Sequence, residues 1–448
     1  MTGITRGRAL GLKLILLGGI VILLGIPLSL VGILSWERSS REAEAIGEVS
    51  RSVGGPQTLR GPFLVIPYSF QTTIHETRDG RQLSRTGLET RHLLVSPDTI
   101  EIALDQTVEM RHRGIYDIPV YTLDIRASGA FVVPELASQI PDRAELDWSA
   151  AGIVVIVNDL RAISRRVDLT IPGRGRLDFE PGSPIDGDGW RGISAPLGSI
   201  APGQRLAFDL ETGLTGASSL KVTAIGRDTQ VSLVSNWQHP AFTGGFLPDT
   251  SEIGPDGFRA SWTVPYLARG VPAVWQPRSG DAATLEEQAF GVSLVSPAGG
   301  YQRVGRALKY GLFFVGLLML CVFLIEARTG QRIHPVQYML MGIAQVVFYL
   351  LLLALSEHVN VVPAFALATL ATVGLSGFYA MNAFSSRPLG TATGAAMGVV
   401  YITQFLLLMV EDYALLVGAV MAFLALASAM VLTRQVEWYA VTQDGRPG

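Results

Sequence analysis

Leu14-Ile-Leu-Leu-Gly-Gly-Ile-Val-Ile-Leu-Leu-Gly-Ile-Pro-Leu-Ser-Leu-Val-Gly-Ile-Leu-Ser35 holds no charged residue. At 1.5 Å per helical residue, about 20 such residues cross the roughly 30 Å hydrocarbon core of a bilayer. A cleavable signal peptide has a shorter apolar core, of roughly 7–15 residues, and a small-residue cleavage site. This run is longer and ends in Leu34-Ser-Trp-Glu-Arg38, without such a site. It predicts an uncleaved anchor helix. Arg6, Arg8 and Lys13 hold its start in the cytoplasm, and Trp36 falls where an interfacial aromatic belongs.

Composition extends this reading to the whole chain. Of 448 residues, 48% are hydrophobic and 16% charged, and the mean hydropathy is +0.35. Soluble domains carry about 25% charged residues, so a large part of this chain belongs in lipid. The net charge of −3 lacks the basic footprint of a nucleic-acid binder. A lone cysteine, Cys321, excludes an intramolecular disulfide and a cysteine-cluster metal site.

From Glu37 to about Arg306 no apolar run is long enough to span a bilayer. Glu37 to Val53 lacks turn residues and continues the anchor helix outward. Beyond it, short runs such as Phe63–Tyr68, Thr99–Leu104, Val120–Arg126 and Gly152–Val157 read as strands, several alternating apolar and polar residues. Pro172-Gly173, Pro181-Gly182, Asp188-Gly189 and Pro202-Gly203 punctuate them as turns. The expectation is a mainly antiparallel β domain over residues 37–306, sandwich-like or twin-sheet, of one core or two.

After Arg306 the chain turns apolar again. Five spans fit: Ala307–Ile325, Val336–Leu355, Val361–Ala383, Gly390–Val410 and Tyr413–Leu432. The fold class is therefore an α+β membrane protein. Its parts are an N-terminus and anchor (1–36), the β domain (37–306), a five-helix transmembrane bundle (307–433) and a tail (434–448).

Joint charges orient it. With the N-terminus inside, the inner joints and tail carry Arg328, Arg332, Arg387 and Arg434, while the outer joints carry Glu357, Glu411 and Asp412 and no Lys or Arg. That is the positive-inside pattern. With +3 in the first 13 residues and +1 from residue 306 onward, the intervening stretch carries −7. An acidic outer domain does not lie flat on anionic headgroups. Lacking disulfides, it points to a bacterial envelope.

His334-Pro-Val-Gln-Tyr338, Phe348-Tyr-Leu-Leu-Leu-Leu-Ala-Leu-Ser-Glu-His358, Leu408-Met-Val-Glu-Asp-Tyr-Ala-Leu-Leu416 and Leu432-Thr-Arg-Gln-Val-Glu-Trp-Tyr439 resemble the CreD family of inner-membrane proteins. Gly61-Pro-Phe-Leu-Val-Ile-Pro-Tyr68, Arg111-His-Arg-Gly-Ile-Tyr-Asp-Ile-Pro-Val-Tyr121 and Ser235-Asn-Trp-Gln-His-Pro-Ala-Phe-Thr-Gly-Gly245 extend the resemblance over nearly the whole chain. One departure is Pro297-Ala-Gly-Gly300, where the family typically has Pro-Val-Asp. The resemblance implies a Gram-negative inner-membrane protein with a periplasmic domain. It also implies envelope integrity, a stress response, and tolerance of E-group colicins and cell-wall-active antibiotics. It supplies no catalytic residue.

The residues supply none either. No Gly-x-Ser-x-Gly elbow and no P-loop occurs, and His75-Glu76 lacks the second histidine of a zincin. Gly173-Arg-Gly175 lacks a third glycine, and Asp186-Gly-Asp-Gly189 reads as a hairpin turn rather than a calcium loop. Six histidines at 75, 92, 112, 239, 334 and 358 form no i, i+4 pair. Neither a metal nor a cofactor is expected.

Six residues remain as candidates. Glu357 and His358 close one outer joint, Glu411 and Asp412 the other; convergence there would give a cation or proton site, whereas the plain reading is solvated caps. Trp237 beside His239 reads as a packed strand end or a binding edge. At depth, Gln345, Tyr349 and Gln404 are read as interhelical hydrogen bonds, and Gly374, Gly377, Gly394 and Gly398 as close helix packing. The leading expectation is a non-enzymatic protein that binds or scaffolds an envelope partner in the periplasm. A transporter or lipid-handling permease gated near Glu357, His358, Glu411 and Asp412 is the alternative, and a wall-precursor hydrolase ranks third. The bilayer is the one certain partner; a homo-oligomer stays open, and nucleic acid is excluded.

Overall fold

The computed structural model describes residues 4–78, 81–136, 139–185, 187, 189–278, 280–294, 300–329, 331, 333–409 and 414–434. The chain divides into a β unit, Glu44–Pro297, and a helical unit, Met1–Ala43 with Ala298–Gly448.

The β unit is two sheets, with strands numbered along the chain. The first runs β14 (Pro240–Gly244), β18 (Ala289–Leu294), β12 (Ser219–Thr223), β1 (Gln57–Arg78), β6 (Gly152–Ile156), β10 (Gly192–Pro196) and β9 (Glu180–Pro181). β2 (Arg81–Val95) and β5 (Glu145–Leu146) also pair with β1, and β17 (Val274–Trp275) pairs with β2. The second runs β15 (Thr250–Gly254), β16 (Gly257–Pro265), β13 (Asp228–Ser235), β3 (Thr99–Arg113), β4 (Tyr116–Val132), β11 (Arg205–Ala217), β7 (Asp168–Ile171) and β8 (Gly175–Leu177). Pairing is antiparallel except for β1 with β12 and β3 with β13.

Alternation explains why these segments are strands. In β3 the side chains of Ile100, Ile102, Leu104, Gln106 and Val108 are buried while their neighbours are exposed, a period of two that leaves one face wet. β13 buries Thr229, Val231, Leu233 and Ser235 in the same way. The buried faces of both sheets join in one core, with Phe63, Ile66 and Phe290 from the first and Leu104, Phe208 and Trp262 from the second. Trp262 meets Phe290 across it at a centroid distance of 5.5 Å. Gly129 on β4 makes room for this packing: a Cβ there would lie 2.2 Å from the Thr99 carbonyl oxygen and 2.9 Å from the Phe208 ring. A side chain at that point would push the two strands apart.

In the helical unit, α1 (Ile4–Ser52) continues past the apolar run, as the lack of turn residues predicts. Its last turns belong to the β unit. There Ile46, Val49 and Val53, on one helical face, pack against Ile118, Val120 and Ala217. Within the helical unit α1 buries Leu17, Leu24, Leu28 and Val31 and leaves Ile15, Ile22, Ile26 and Leu30 exposed, the pattern of a helix with one packed side and one lipid side.

The α2 helix (Asp281–Glu287) lies in the β unit, and α3 (Gly300–Lys309) to α8 follow. Four helices match expected spans: α4 (Gly311–Thr329), α5 (Pro335–Ser356), α6 (Val361–Ala383) and α7 (Arg387–Met409). With α1 they are the five helices long and apolar enough to cross a membrane among the described residues. The α8 helix (Ala414–Thr433) corresponds to the fifth C-terminal span, and its described apolar stretch, Leu416–Val431, is shorter.

One boundary differs. The span expected from Ala307 is two helices, α3 and α4, divided at Tyr310. α3 carries Arg303, Arg306 and Lys309 opposite buried Tyr301, Val304 and Ala307, so it is amphipathic and not continuous with the apolar α4.

Glycines set the closest contacts. A Cβ on Gly342 of α5 would lie 2.2 Å from Leu24 Cδ1 and 2.6 Å from Met319 Cε, and one on Gly311 would lie 2.9 Å from Leu28 Cδ2. α1 thus sits directly on α4 and α5. Gly377 and Gly394 face each other across α6 and α7, whereas Gly374 and Gly398, expected to pack, have nothing within 4 Å.

Candidate functional site

Of the outer-joint candidates, Glu357 is half-buried at the C-terminal end of α5. Tyr301 Oη donates a hydrogen bond to its Oε1 at 3.0 Å, and Arg38 Nε lies 3.6 Å from the same oxygen. The carboxylate therefore joins α1, α3 and α5. His358 is exposed, its backbone N–H bonded to the Leu355 carbonyl at 3.0 Å. Glu411 and Asp412 lie outside the described residues, as do Asp186, Asp188, Arg332 and Pro297.

Trp237 and His239 are neighbours at the end of β13. The indole Nε1–H donates to the His239 carbonyl at 2.9 Å, and the two rings stand perpendicular at 6.3 Å. Indole has a single N–H, so Trp237 holds none in reserve for a ligand. The pair closes a strand end.

At depth in the bundle, Gln404 Nε2 donates to Tyr349 Oη at 2.8 Å, one of the interhelical bonds expected. Gln345 differs: it is fully buried, and among the described residues neither its amide oxygen nor its nitrogen has a hydrogen-bond partner. The free Gln404 Oε1 has none either. Gln404 lies beside Arg306, Tyr310, Phe314 and Leu407.

Sequence reasoning missed a charged cluster at the other end of the helical unit. Glu326, one residue past the end of the expected span Ala307–Ile325, is buried in the last turns of α4. Lys13 Nζ forms an ion pair with its Oε1 and donates to the Ile333 carbonyl at 2.5 Å; Tyr338 Oη donates to Oε2 at 2.7 Å. The ammonium also stands 5.1 Å from the centre of the Tyr338 ring. Every charged atom has a partner, which is the condition under which a buried pair is tolerated. A signal existed: Lys13 directly precedes the apolar run, and Tyr338 closes the His334-Pro-Val-Gln-Tyr338 motif. His334 itself caps α5, its Nδ1 accepting from Val336 N–H at 3.3 Å.

The β unit holds two further polar features. Glu286 on α2 meets Arg60, Lys221 (3.3 Å) and the Thr58 hydroxyl (3.2 Å). Burial works to raise its pKa, but Arg60, Thr58 and Lys221 outweigh that and hold the carboxyl below its usual range. Arg269 is fully buried, donates from Nη1 to the Ile225 carbonyl and lies 4.8 Å from the Tyr266 ring centre. Burial pushes its pKa down. Among the described residues no three His, Cys, Asp or Glu side chains are grouped to hold a metal ion.

The β unit also contains a cavity of about 410 Å³, bounded by β17, the 270–278 segment and α2. Its apolar wall includes Trp275, Val271 and Leu93, and its polar rim Gln139, Arg278 and Asp281. Nothing in the sequence marked it, because its lining comes from three distant stretches.

The family described as Inner membrane protein CreD matches residues 9–439. Inner membrane protein CreD of Escherichia coli (strain K12) is 32% identical over 431 residues, 96% of this chain and 93% of that protein. Among solved structures, an M1 zinc metallopeptidase from Deinococcus radiodurans aligns over 79% of this chain and 96% of its own at 10% identity, with a TM-score of 0.23. A substrate-bound variant of that peptidase aligns at 12% identity with a TM-score of 0.22. Likeness at this level does not indicate a shared fold.

Proposed function

The chain belongs to the CreD family of inner membrane proteins, and on that footing we propose that it supports cell-envelope integrity by binding or scaffolding a periplasmic partner, without catalysis. The observation that carries the reading is the whole-length match, which takes in the β unit and the helices together. The proposed topology has six spans, α8 being the sixth, with both termini in the cytoplasm and the β unit in the periplasm. Arg328, Arg332, Arg387 and Arg434 against Glu357, Glu411 and Asp412 support that orientation. Tolerance of envelope stress, cell-wall-active antibiotics and colicins is the physiological outcome the resemblance implies.

A permease reading has one observation in its favour: the unbonded amide of Gln345 in the bundle interior. Intramembrane polar groups of this kind cost free energy and mark pathways in transporters.

Complementation of a deletion strain under detergent and β-lactam challenge tests both. The wild-type chain is compared with a Glu357→Ala, His358→Ala, Glu411→Ala, Asp412→Ala variant at equal membrane abundance. Rescue by both supports a working β unit. Loss of rescue in the variant moves the activity into the helical unit and favours the permease. A wild-type chain that rescues nothing overturns the envelope role.

A further inference from the structure

We propose that the cavity of about 410 Å³ in the β unit is a binding site for a neutral saccharide of one or two rings. The proposal rests on the periplasmic-binding reading above and names the ligand class for it.

Volume comes first. Small-molecule sites are clefts of about 300–1,000 Å³ lined by apolar and aromatic groups with a few placed polar ones. This cavity lies at the lower end of that range. A sugar ring or a pair of rings is of suitable size, while a long chain is not.

The walls then select the chemistry. Trp275 provides an aromatic surface, and its indole is braced by Phe63, whose ring meets it edge-on at 5.4 Å and 84°. Val271 and Leu285 extend the apolar side. An aromatic of this kind packs against the C–H face of a pyranose, burying area at low entropy cost. Gln139, Gln276, Arg278 and Asp281 line the same cavity. Each ends in a planar group with two or more donor or acceptor positions, the geometry that engages neighbouring hydroxyls in pairs.

Charge decides between ligand types. Arg278 and Asp281 contribute one cation and one anion to the same rim, so the site carries no net charge. The Asp281 Oδ2 accepts the Arg278 backbone N–H at 2.9 Å, and Gln276 Nε2 donates to the Gln139 carbonyl at 3.0 Å. Those bonds hold the Asp281 and Gln276 side chains in place and leave Asp281 Oδ1 and Gln276 Oε1 for a ligand. An anionic ligand would meet the carboxylate, and a cationic one the guanidinium. A neutral ligand rich in hydroxyls suits both.

The test uses the full-length protein in detergent micelles. Saturation-transfer NMR and calorimetry measure binding of a panel: neutral monosaccharides and disaccharides with and without N-acetyl groups, the zwitterions glycine and dialanine, and glucose 6-phosphate. The expected result is binding of at least one neutral saccharide, weakened tenfold or more by Trp275→Ala and by Asp281→Asn. Trp237→Ala, outside the cavity, leaves it unchanged. Thermal unfolding checks that the variants fold, and Gln276→Ala serves as the milder substitution if Trp275→Ala does not. The proposal is overturned if no neutral saccharide binds, if binding survives Trp275→Ala and Asp281→Asn, or if the zwitterions or the phosphate bind in preference. Complementation keeps the two readings apart. A wild-type chain that rescues the deletion strain but binds no saccharide sinks this site and leaves the envelope role. One that binds saccharide but rescues nothing sinks the envelope role and leaves the site.

Discussion

Lys13, half-buried, and Glu326, buried, stand 313 residues apart in the chain and form an ion pair that fastens the start of α1 to the end of α4. Arg38, 25 residues further along α1, stands 3.6 Å from Glu357. At 1.5 Å per residue the two contacts lie about 37 Å apart on the helix, slightly more than the roughly 30 Å of hydrocarbon between two headgroup layers. The apolar length of α1 is thus bracketed by a polar lock at each end.

The Lys13–Glu326 lock is open to stepwise substitution. Lys13→Met leaves the Glu326 carboxylate buried without its cation, a change that costs about 3–5 kcal/mol. Adding Glu326→Leu and Tyr338→Phe removes the stranded groups and restores most of that loss. Thermal unfolding in detergent reads both steps. Equal loss in the single and the triple variant would mean that packing, not charge, holds α1 there.

Gly342 gives a steric counterpart. Gly342→Val drives a side chain into Leu24 and Met319, and overpacking of this kind costs about 1–3 kcal/mol. Leu24→Ala in the same chain relieves it. Gly374→Val and Gly398→Val, with nothing within 4 Å, leave the unfolding midpoint close to wild type. A Gly342→Val protein as stable as those two would contradict the contact.

Acid acts on the β unit through Glu286. Its folded pKa is depressed from an ordinary value of 4.5, so its contribution is present above the unfolded value and is lost as pH falls through the folded one. The difference in unfolding midpoint between wild type and Glu286→Gln is therefore largest near neutrality and shrinks below about pH 4.5. Because the side chain is partly exposed, added salt reduces the difference. A gap unchanged from pH 7 to pH 3 would remove charge from the explanation.

Gln345→Leu tests the unbonded amide. Replacing a buried polar group that lacks partners recovers about 1–3 kcal/mol, so the variant unfolds at a higher temperature. If it also fails to rescue the deletion strain, the amide serves the protein's activity and the permease reading gains. A fall in stability would reveal a partner for Gln345 inside the bilayer.

Local patterns in the sequence reached far into this fold. Val361–Ala383 is a helix with the same ends the apolar run has, because apolar length and flanking polar residues fix a span locally. β3 was legible from strict alternation over Thr99–Leu104. The division of α3 from α4 was not, since hydropathy averages over Tyr310 and hides that Arg303, Arg306 and Lys309 share a polar side. The sites were harder still. Glu357 was singled out, yet its partners Arg38 and Tyr301 come from other segments. Glu326 lies only a turn from Arg328 and Thr329, so charge alone assigned it to a joint; its burial depends on Lys13, and no periodicity links the two. The same holds for Trp275 and Asp281, which gain meaning only once β17 and α2 border one cavity.

Ribosomes deliver Lys13 first. At about 5–20 residues per second, Glu326 follows about 15–60 s later, after all of the β unit has been polymerised. Through that interval the lysine has no carboxylate, and its flexible stem lets the ammonium reach water at the bilayer surface. Closure of α1 onto Gly311 and Gly342 is consequently a late event in biogenesis, reached when α4 and α5 leave the insertion machinery. A nascent chain interrupted before residue 326 holds a first helix that lacks the carboxylate partner of Lys13.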